Sequence, residues 1–276
     1  MELRQVALEV ARILQDAGKH ALNDQMNPRD LKSFEMTDNH LSFTSDIDKR
    51  LAQFISNRIT YVDVFDGFWQ FRPEECHPGE RYWCVGGIDG AINFVRSMPE
   101  WTITVSLFEF NDQCSAQPIL SVVHAPALGL PSRAVRGSGA IRIRKTPLGD
   151  KREKIMPSTT PSLDYAVVSF GMSHVPEESK RALEVVSRIS GRPADIKRVG
   201  PSSLDLCKVA DGTYDAYFEA HLHKWDVPAV SAGAVVVWEA QGHLSRWNGD
   251  LVHWRQENDV LATNGLITDD LRQYLA

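Results

Sequence analysis

The segment from Trp101 to Ala140 constrains the fold more than any other part of the chain. Trp101-Thr102-Ile103-Thr104-Val105-Ser106-Leu107-Phe108-Glu109-Phe110 alternates apolar and polar side chains at the two-residue period of a half-buried strand. Ile119-Leu120-Ser121-Val122-Val123-His124 is a second strand signal, ended by Ala125-Pro126. Ala134-Val135-Arg136 followed by Gly137-Ser138-Gly139 reads as a third strand running into a glycine turn. Successive strands of this kind predict an antiparallel meander rather than a βαβ series.

The period changes on either side of this block. Leu3, Val6, Ala7, Val10, Ile13, Leu14 and Ala17 recur at helical spacing and predict an amphipathic first helix. Leu41-Ser42-Phe43-Thr44 reads as a short strand, after which Ser45 or Asp46 caps a second helix carrying Leu51, Phe54, Ile55 and Ile59. Residues Asp63–Glu80 have no clean period and read as a long loop with a short helical turn. The stretch Asp150–Leu163, rich in Lys, Pro, Ser and Thr, predicts a link between two lobes, 1–150 and 151–276. Beyond it, strands (Tyr165–Phe170, Asp195–Val199, Ala216–Phe218) alternate with helices (Glu177–Ser190, Ser202–Ala210, Pro228–Ala240), as in an α/β layer.

At 276 residues, with 43% hydrophobic and 24% charged side chains, the chain has material for a sizeable core. A net charge of −6 argues against broad binding to nucleic acid or an anionic membrane. It leaves room for an anionic small substrate where bound cations reverse the local sign. Cys76, Cys84, Cys114 and Cys207 have no Cys-x-x-Cys spacing and read as free thiols. Met1–Gln5 has no apolar signal core and no apolar run reaches spanning length, so a cytoplasmic protein is expected.

Tyr82-Trp83-Cys84-Val85 reads as the end of a buried strand, and Ile88-Asp89-Gly90-Ala91 as an acidic turn that starts a helix. Backbone N–H groups point outward at such a turn, so a metal-bound phosphate can be held there. Asp48, Asp89 and Asp226 all fall next to strand–helix junctions, with Glu74 and Glu75 shortly upstream of Asp89. Hard cations such as Mg²⁺ take carboxylate, water and phosphate oxygens, the set that phosphomonoester hydrolysis requires. Any one of these acids, read alone, is a surface residue capping a helix.

Val85-Gly86-Gly87-Ile88-Asp89-Gly90-Ala91-Ile92-Asn93-Phe94 resembles the Asp-Pro-Ile-Asp-Gly-Thr-Thr-Asn-Phe signature of the inositol monophosphatase family. Trp225-Asp226-Val227-Pro228-Ala229 and the apolar helix after it closely resemble that family's second signature. Arg198–Ser202, Val122–Pro126 with Arg136–Ala140, and Thr44–Asp48 resemble further elements in the right order, so the likeness covers nearly the whole chain. The resemblance implies an α+β fold, a layered αβαβα sandwich of the inositol monophosphatase/fructose-1,6-bisphosphatase type, and a homodimer. It implies that Asp89 and Asp226 bind a metal, that Asp48 lies near the metal-bound water, and that Glu219 hydrogen-bonds a substrate hydroxyl. Amides at Gly90 and Ala91 match phosphate contacts, and Ile88 matches the residue whose carbonyl helps hold the first metal. Glu74 or Glu75 is the best match to the family's metal-binding Glu-Glu pair. The implied cofactor is Mg²⁺ and the implied substrate a small phosphorylated polyol or sugar.

The departures bear on activity. Gly86 stands where the family has its first metal-binding Asp, Gly87 where it has Pro, and Ala91 and Ile92 where it has hydroxyls, one of which orients the attacking water. Losing a bridging carboxylate weakens metal binding, to a single ion or none, and losing water positioning slows turnover. Two readings therefore stand side by side: a weak or altered metal-dependent phosphatase, and a catalytically inactive member that holds a phosphorylated small molecule or a protein partner. A repurposed enzyme acting on a polyol phosphate is a third. His221 and His223 could rebuild a metal site with nitrogen ligands, or His223 fills the histidine position common in the family while His221 lies on the surface. Phe65, Phe68, Trp69 and Phe71 could close over the pocket in place of a metal.

Overall fold

A computed structural model of the chain describes residues 1–26, 35–36, 43–44, 46–62 and 65–275. Helices α1 (Leu3–Gln25) and α2 (Asp46–Ile59), with the short pair β1 (Glu35–Met36) and β2 (Phe43–Thr44), precede the first large sheet. Of the expected first strand and cap, Leu41, Ser42 and Ser45 lie outside the described residues, and α2 begins at Asp46. The sheet comprises β3 (Gly67–Phe68), β4 (Arg81–Asp89), β5 (Thr102–Phe110), β6 (Ala116–Ala125), β7 (Leu130–Val135), β8 (Ala140–Thr146) and β9 (Gly149–Lys154), with helix α3 (Ala91–Val95) between β4 and β5. These seven strands lie in chain order, antiparallel throughout except for the β3–β4 pair. The expected meander is therefore present and longer than its apolar pattern suggests. Its last hairpin takes up residues 149–154, so the link expected from Asp150 begins only at residue 155.

A second sheet is built from β10 (Val167–Phe170), β11 (Asp195–Lys197), β12 (Ala216–Leu222), β13 (His243–Ser245) and β14 (Asn258–Thr263), in the order β11-β10-β12-β14-β13. The first three strands run parallel, as their alternation with α4 (Pro176–Ile189) and α5 (Ser202–Ala210) requires. After α6 (Val227–Glu239) the two remaining strands add antiparallel, and α7 (Thr268–Arg272) follows.

Three cores join these elements into an αβαβα sandwich. Val6, Val10, Leu14, Ala17 and Ala21 form the buried stripe of α1 and pack with α2 against Trp83, Val85, Ile103 and Val105. Cys84, Phe108 and Val123, on the other face of the same strands, meet α5 and α6. The outer face of the second sheet (Val168, Phe218, Leu261) is covered by Ala182, Val185 and Ile189 of α4 and by Leu271. Each such Val or Leu side chain contributes about 1.5–3 kcal/mol when fully buried. Helix α6 lies between the two sheets, so it is apolar all round, with Ala229–Val237 buried without interruption.

Strand β5 departs from the half-buried strand that its alternation predicts. Its polar side is buried as well, with Thr102, Thr104 and Ser106 at 0%, 1% and 0% exposure. Thr102 Oγ1 pairs with Ser203 Oγ of α5 at 2.6 Å, and Ser106 Oγ with Ser231 Oγ of α6 at 2.7 Å. Small hydroxyl side chains let the helices approach the sheet closely, and pairing them across the interface offsets their desolvation. Among the described residues no helix is long and apolar enough to cross a membrane.

Candidate functional site

A cleft of 420 Å³ opens where the end of β4, the end of β12 and the first turns of α5 and α6 meet. The course of β4 shapes one wall. Val85 pairs with Val105 but Ile88 with Ile103, so β4 carries one extra residue, a β-bulge at Gly86-Gly87. Neither position has room for a side chain. A Cβ on Gly86 would come under 3.0 Å from Thr104 Oγ1 and to 3.1 Å from Pro228 Cβ, and one on Gly87 would overlap Asp48 Oδ1. The amide of Ile88, just past the bulge, donates to Asp48 Oδ1 at 2.5 Å.

Three more carboxylates face the same space. Asp89, at the end of β4, accepts hydrogen bonds from Ser203 N (3.0 Å) and Ser203 Oγ (2.5 Å), which tie the strand to the first turn of α5. Asp226, immediately before α6, accepts the His223 amide at 2.9 Å. Glu219, on β12, accepts the Tyr217 hydroxyl at 2.7 Å and lies 3.3 Å from Ser202 Oγ.

The four carboxyls are all held above the usual carboxylate range. Burial lifts Glu219 to about 7, and the charge of Asp89 adds to it. Burial raises Asp226 well above its ordinary value, reinforced by Glu219 and Asp89. Asp89 is raised by burial against the pull of its Ser203 bonds, and Asp48 by burial and by Asp89. Arg198, which lines the cleft, draws Asp89 and Glu219 the other way without reversing either. Carboxyls that penalise each other's ionisation form a set short of positive charge. All are oxygen donors of the kind that hard divalent cations take.

The structure thus brings Asp48, Ile88, Asp89, Gly90, Ala91, Glu219 and Asp226 to one cleft, as the sequence implied. The Gly90 amide is a hydrogen-bond partner of Asp89 itself. Glu74 and Glu75 correct the expectation: both are exposed and neither lines the cleft. Their segment is pinned elsewhere, because Arg255 Nη2 holds the Glu74 carbonyl at 2.8 Å and Arg72 stacks on Trp69 with its guanidinium carbon 3.8 Å from the ring centre. The expected aromatic cover fails for the same reason. Trp69 is buried against Phe108, ring centres 4.0 Å apart, Phe65 packs edge-on against Phe68, and none of the four aromatics lines the cleft. The site also includes Arg198 and Thr104 in its lining and Ser203 on Asp89, beyond the residues the sequence points to. Arg198 had a signal in its place four residues before α5, whereas a serine in a helix and a threonine in a strand carry none.

Layered sheets and helices around a buried carboxylate cleft define an α+β layered sandwich. The chain belongs to the inositol monophosphatase family, whose model matches residues 2–276. It is 31% identical over 193 residues to the fructose-1,6-bisphosphatase/inositol-1-monophosphatase of Thermotoga maritima, covering 70% of this chain and 67% of that protein. Over 186 residues it is 30% identical to the putative Nus factor SuhB of Neisseria meningitidis, a match that spans 67% of this chain and only 65% of that protein's length. Over 273 residues it is 27% identical to the histidinol-phosphatase of Streptomyces coelicolor, covering 97% and 96%. Among solved structures, the inositol monophosphatase from Anabaena superposes with a TM-score of 0.78 at 19% identity, covering 100% of this chain and 96% of that one. The Thermotoga maritima IMPase gives 0.76 at 24%, covering 96% and 94%. At those identities the likeness is one of fold.

Proposed function

We propose that the chain hydrolyses a phosphomonoester of a small sugar or cyclitol, at a reduced rate, with one Mg²⁺ held by Asp89 and Asp226. The observation that carries this reading is the convergence of Asp89, Asp226 and Glu219 on a cleft that also holds Arg198, all three raised by burial and the last two also by the charge of neighbouring carboxylates. A bound Mg²⁺ supplies phosphoryl polarisation and an acidified water. Arg198 adds positive charge for the phosphate oxygens. Glu219, steadied by Tyr217, accepts a substrate hydroxyl and so orients the sugar. Asp48, with its carboxyl raised, is suited to take a proton from the attacking water. Gly86 brings no bridging carboxylate and Ala91 no hydroxyl for that water, which is why the rate is reduced. In this proposal the N-terminal lobe, expected as 1–150 and extended through β9 to residue 154, and the C-terminal lobe beyond it supply opposite walls of the cleft, and the chain works as a cytoplasmic homodimer.

A second reading has its own observation. The backbone is closed around the missing Gly86 side chain by Thr104 and Pro228, which suits a member that binds a phosphorylated small molecule or a partner without hydrolysing it. Phosphate release from a panel of sugar and cyclitol phosphates in excess Mg²⁺ separates the two. Turnover that Asp226→Asn abolishes supports the phosphatase. No turnover, together with a rise in melting temperature on adding inositol phosphate, rejects it in favour of the binding role.

A further inference from the structure

The rim of the cleft carries a second donor cluster that the carboxylate site does not use. His221 lies near the end of β12 and His223 just beyond it, with their ring centres 4.3 Å apart. Glu178, in the first turn of α4, faces them. A ring nitrogen from each histidine and a carboxylate oxygen of Glu178 lie within 4.8 Å of one another. His223 Nε2 is 2.9 Å from Glu178 Oε2, and His221 Nδ1 is 3.6 Å from Glu178 Oε1. Ligands on a tetrahedral zinc ion, with bonds of about 2.0–2.1 Å, sit about 3.3 Å apart, and a set within 4.8 Å reaches that spacing with small side-chain adjustments.

A second carboxylate, that of Glu257, lies near the opposite ring nitrogens. Glu257 Oε2 lies 3.3 Å from His221 Nε2, and Glu257 Oε1 lies 3.9 Å from His223 Nδ1. His221 Nε2 is nevertheless buried without a hydrogen bond of good geometry among the described residues. One carboxylate on the binding side and another behind the rings is the pattern in which an outer carboxylate fixes the tautomers of metal-binding histidines. The cluster is also sheltered: the His223 side chain is 11% exposed, and Trp225 stacks on its ring at 4.1 Å.

We propose that Glu178, His221 and His223 form a second metal centre that takes a borderline divalent transition ion, zinc in the first instance. Glu257 orients the rings, and one coordination position is left for water or a substrate oxygen. Mixed nitrogen and oxygen donors select such an ion over Mg²⁺, which the all-carboxylate set at Asp89 and Asp226 suits better. The His223 amide holds Asp226 at 2.9 Å, so an ion bound here also fixes the turn that presents Asp226 to the cleft.

The test uses the full chain, stripped with chelator and dialysed against Zn²⁺ alone in excess Mg²⁺, with metal content measured per chain. Co²⁺ in place of Zn²⁺ adds a visible absorption band that reports a low-coordinate site. The expected result is one Zn²⁺ per chain that Mg²⁺ does not displace and an intense Co²⁺ band. Both should be weakened at least tenfold in affinity by His221→Ala and by the near-isosteric Glu178→Gln, and about tenfold by Glu257→Gln. Asp89→Asn should leave them in place. Zinc binding that survives His221→Ala and Glu178→Gln, that disappears with Asp89→Asn, or that never reaches one ion per chain overturns the proposal.

Discussion

The bulge at Gly86-Gly87 makes a prediction that can be worked through in numbers. Gly86→Ala adds a single Cβ, which would sit under 3.0 Å from Thr104 Oγ1, 3.1 Å from Pro228 Cβ and 3.4 Å from the Thr104 carbonyl oxygen. Thr104 is a β-branched side chain in the middle of a buried strand and cannot swing away, so β4 or the first turn of α6 has to move. Over-packing of this kind costs about 1–3 kcal/mol. Gly86 is not among the left-handed glycines, so alanine restricts the unfolded chain and returns about 0.4–1 kcal/mol. With the first contact under 3.0 Å the cost falls in the upper part of that range, so the net loss should be about 1–2.6 kcal/mol, and at about 2–4 °C per kcal/mol near this chain length the melting temperature should fall by about 2–10 °C. Thr104→Ala removes the obstructing hydroxyl, which has no hydrogen-bond partner among the described residues. In Gly86→Ala/Thr104→Ala only the 3.1 Å approach to Pro228 remains tight, so the two losses should fail to add by about 1 kcal/mol, the double variant being the more stable than their sum. Urea denaturation of the four proteins in metal-free buffer measures this cycle. Additive losses, or a Gly86→Ala protein as stable as the parent, would refute the reasoning.

Other perturbations probe the rest of the cleft. Asp226→Asn keeps the shape before α6 but removes a carboxylate oxygen, so the rise in melting temperature on adding Mg²⁺ should disappear and phosphate release should drop by about 100-fold or more; a retained Mg²⁺ shift would place the ion elsewhere. Burial raises Glu219 from 4.5 to about 7, so the folded state binds its proton longer than the unfolded state does. Its stabilising effect is complete below about pH 4.5 and is lost as pH climbs through about 7. Asp205, raised to about 6, acts with the same sign, and His124, lowered by burial to about 4, acts with the opposite sign below its ordinary 6.5. The informative readout is therefore a difference: in metal-free buffer Glu219→Gln should gain stability relative to the parent between pH 5 and 7.5, and parallel profiles would remove the effect. Glu239, at the end of α6, accepts the amides of Gly137, Ser138 and Gly139 at 2.8, 3.0 and 2.8 Å. Glu239→Ala strands those donors at the β7–β8 turn and should cost about 2–3 kcal/mol by denaturation, with Glu239→Gln losing clearly less.

What was legible in the sequence follows from which side chains burial selects. Helix α1 and strands β4 to β7 are read easily because one or both of their faces enter a core, leaving a period in the apolar residues. Strand β9 is Gly149-Asp150-Lys151-Arg152-Glu153-Lys154, nearly all exposed, and is held by its ladder to β8; no apolar pattern marks it, so it reads as link. The buried hydroxyls of β5 mislead in the opposite direction, since an alternation made by Ser and Thr looks like a solvent face until helices bring their own hydroxyls to it. At the site, Asp89, Asp226 and Glu219 could be singled out because each sits in a run that resembles a family signature. Glu74 and Glu75 could not be placed, because no local pattern in Asp63–Glu80 shows that Trp69 is drawn into the core and carries the loop with it.

The glycine that most distinguishes this cleft is therefore more than a deleted ligand. At Gly86 the volume a carboxylate would need is occupied by Thr104 and Pro228, and at Gly87 the corresponding volume is occupied by Asp48. Just past the bulge, the Ile88 amide donates to Asp48 of α2. An aspartate placed at position 86 without relieving Thr104 would distort the wall that carries Asp89, and it would add a fifth charge to four carboxyls already held above their usual range. Only a cation makes such a set favourable to ionise, since desolvated like charges otherwise retain their protons. Steric closure at Gly86 and unmet demand for positive charge at Asp89, Asp226 and Glu219 are thus separate properties of one cleft. The first limits the cleft to fewer metal ligands than the family signature supplies, and the second is the reason to expect that it still holds one ion.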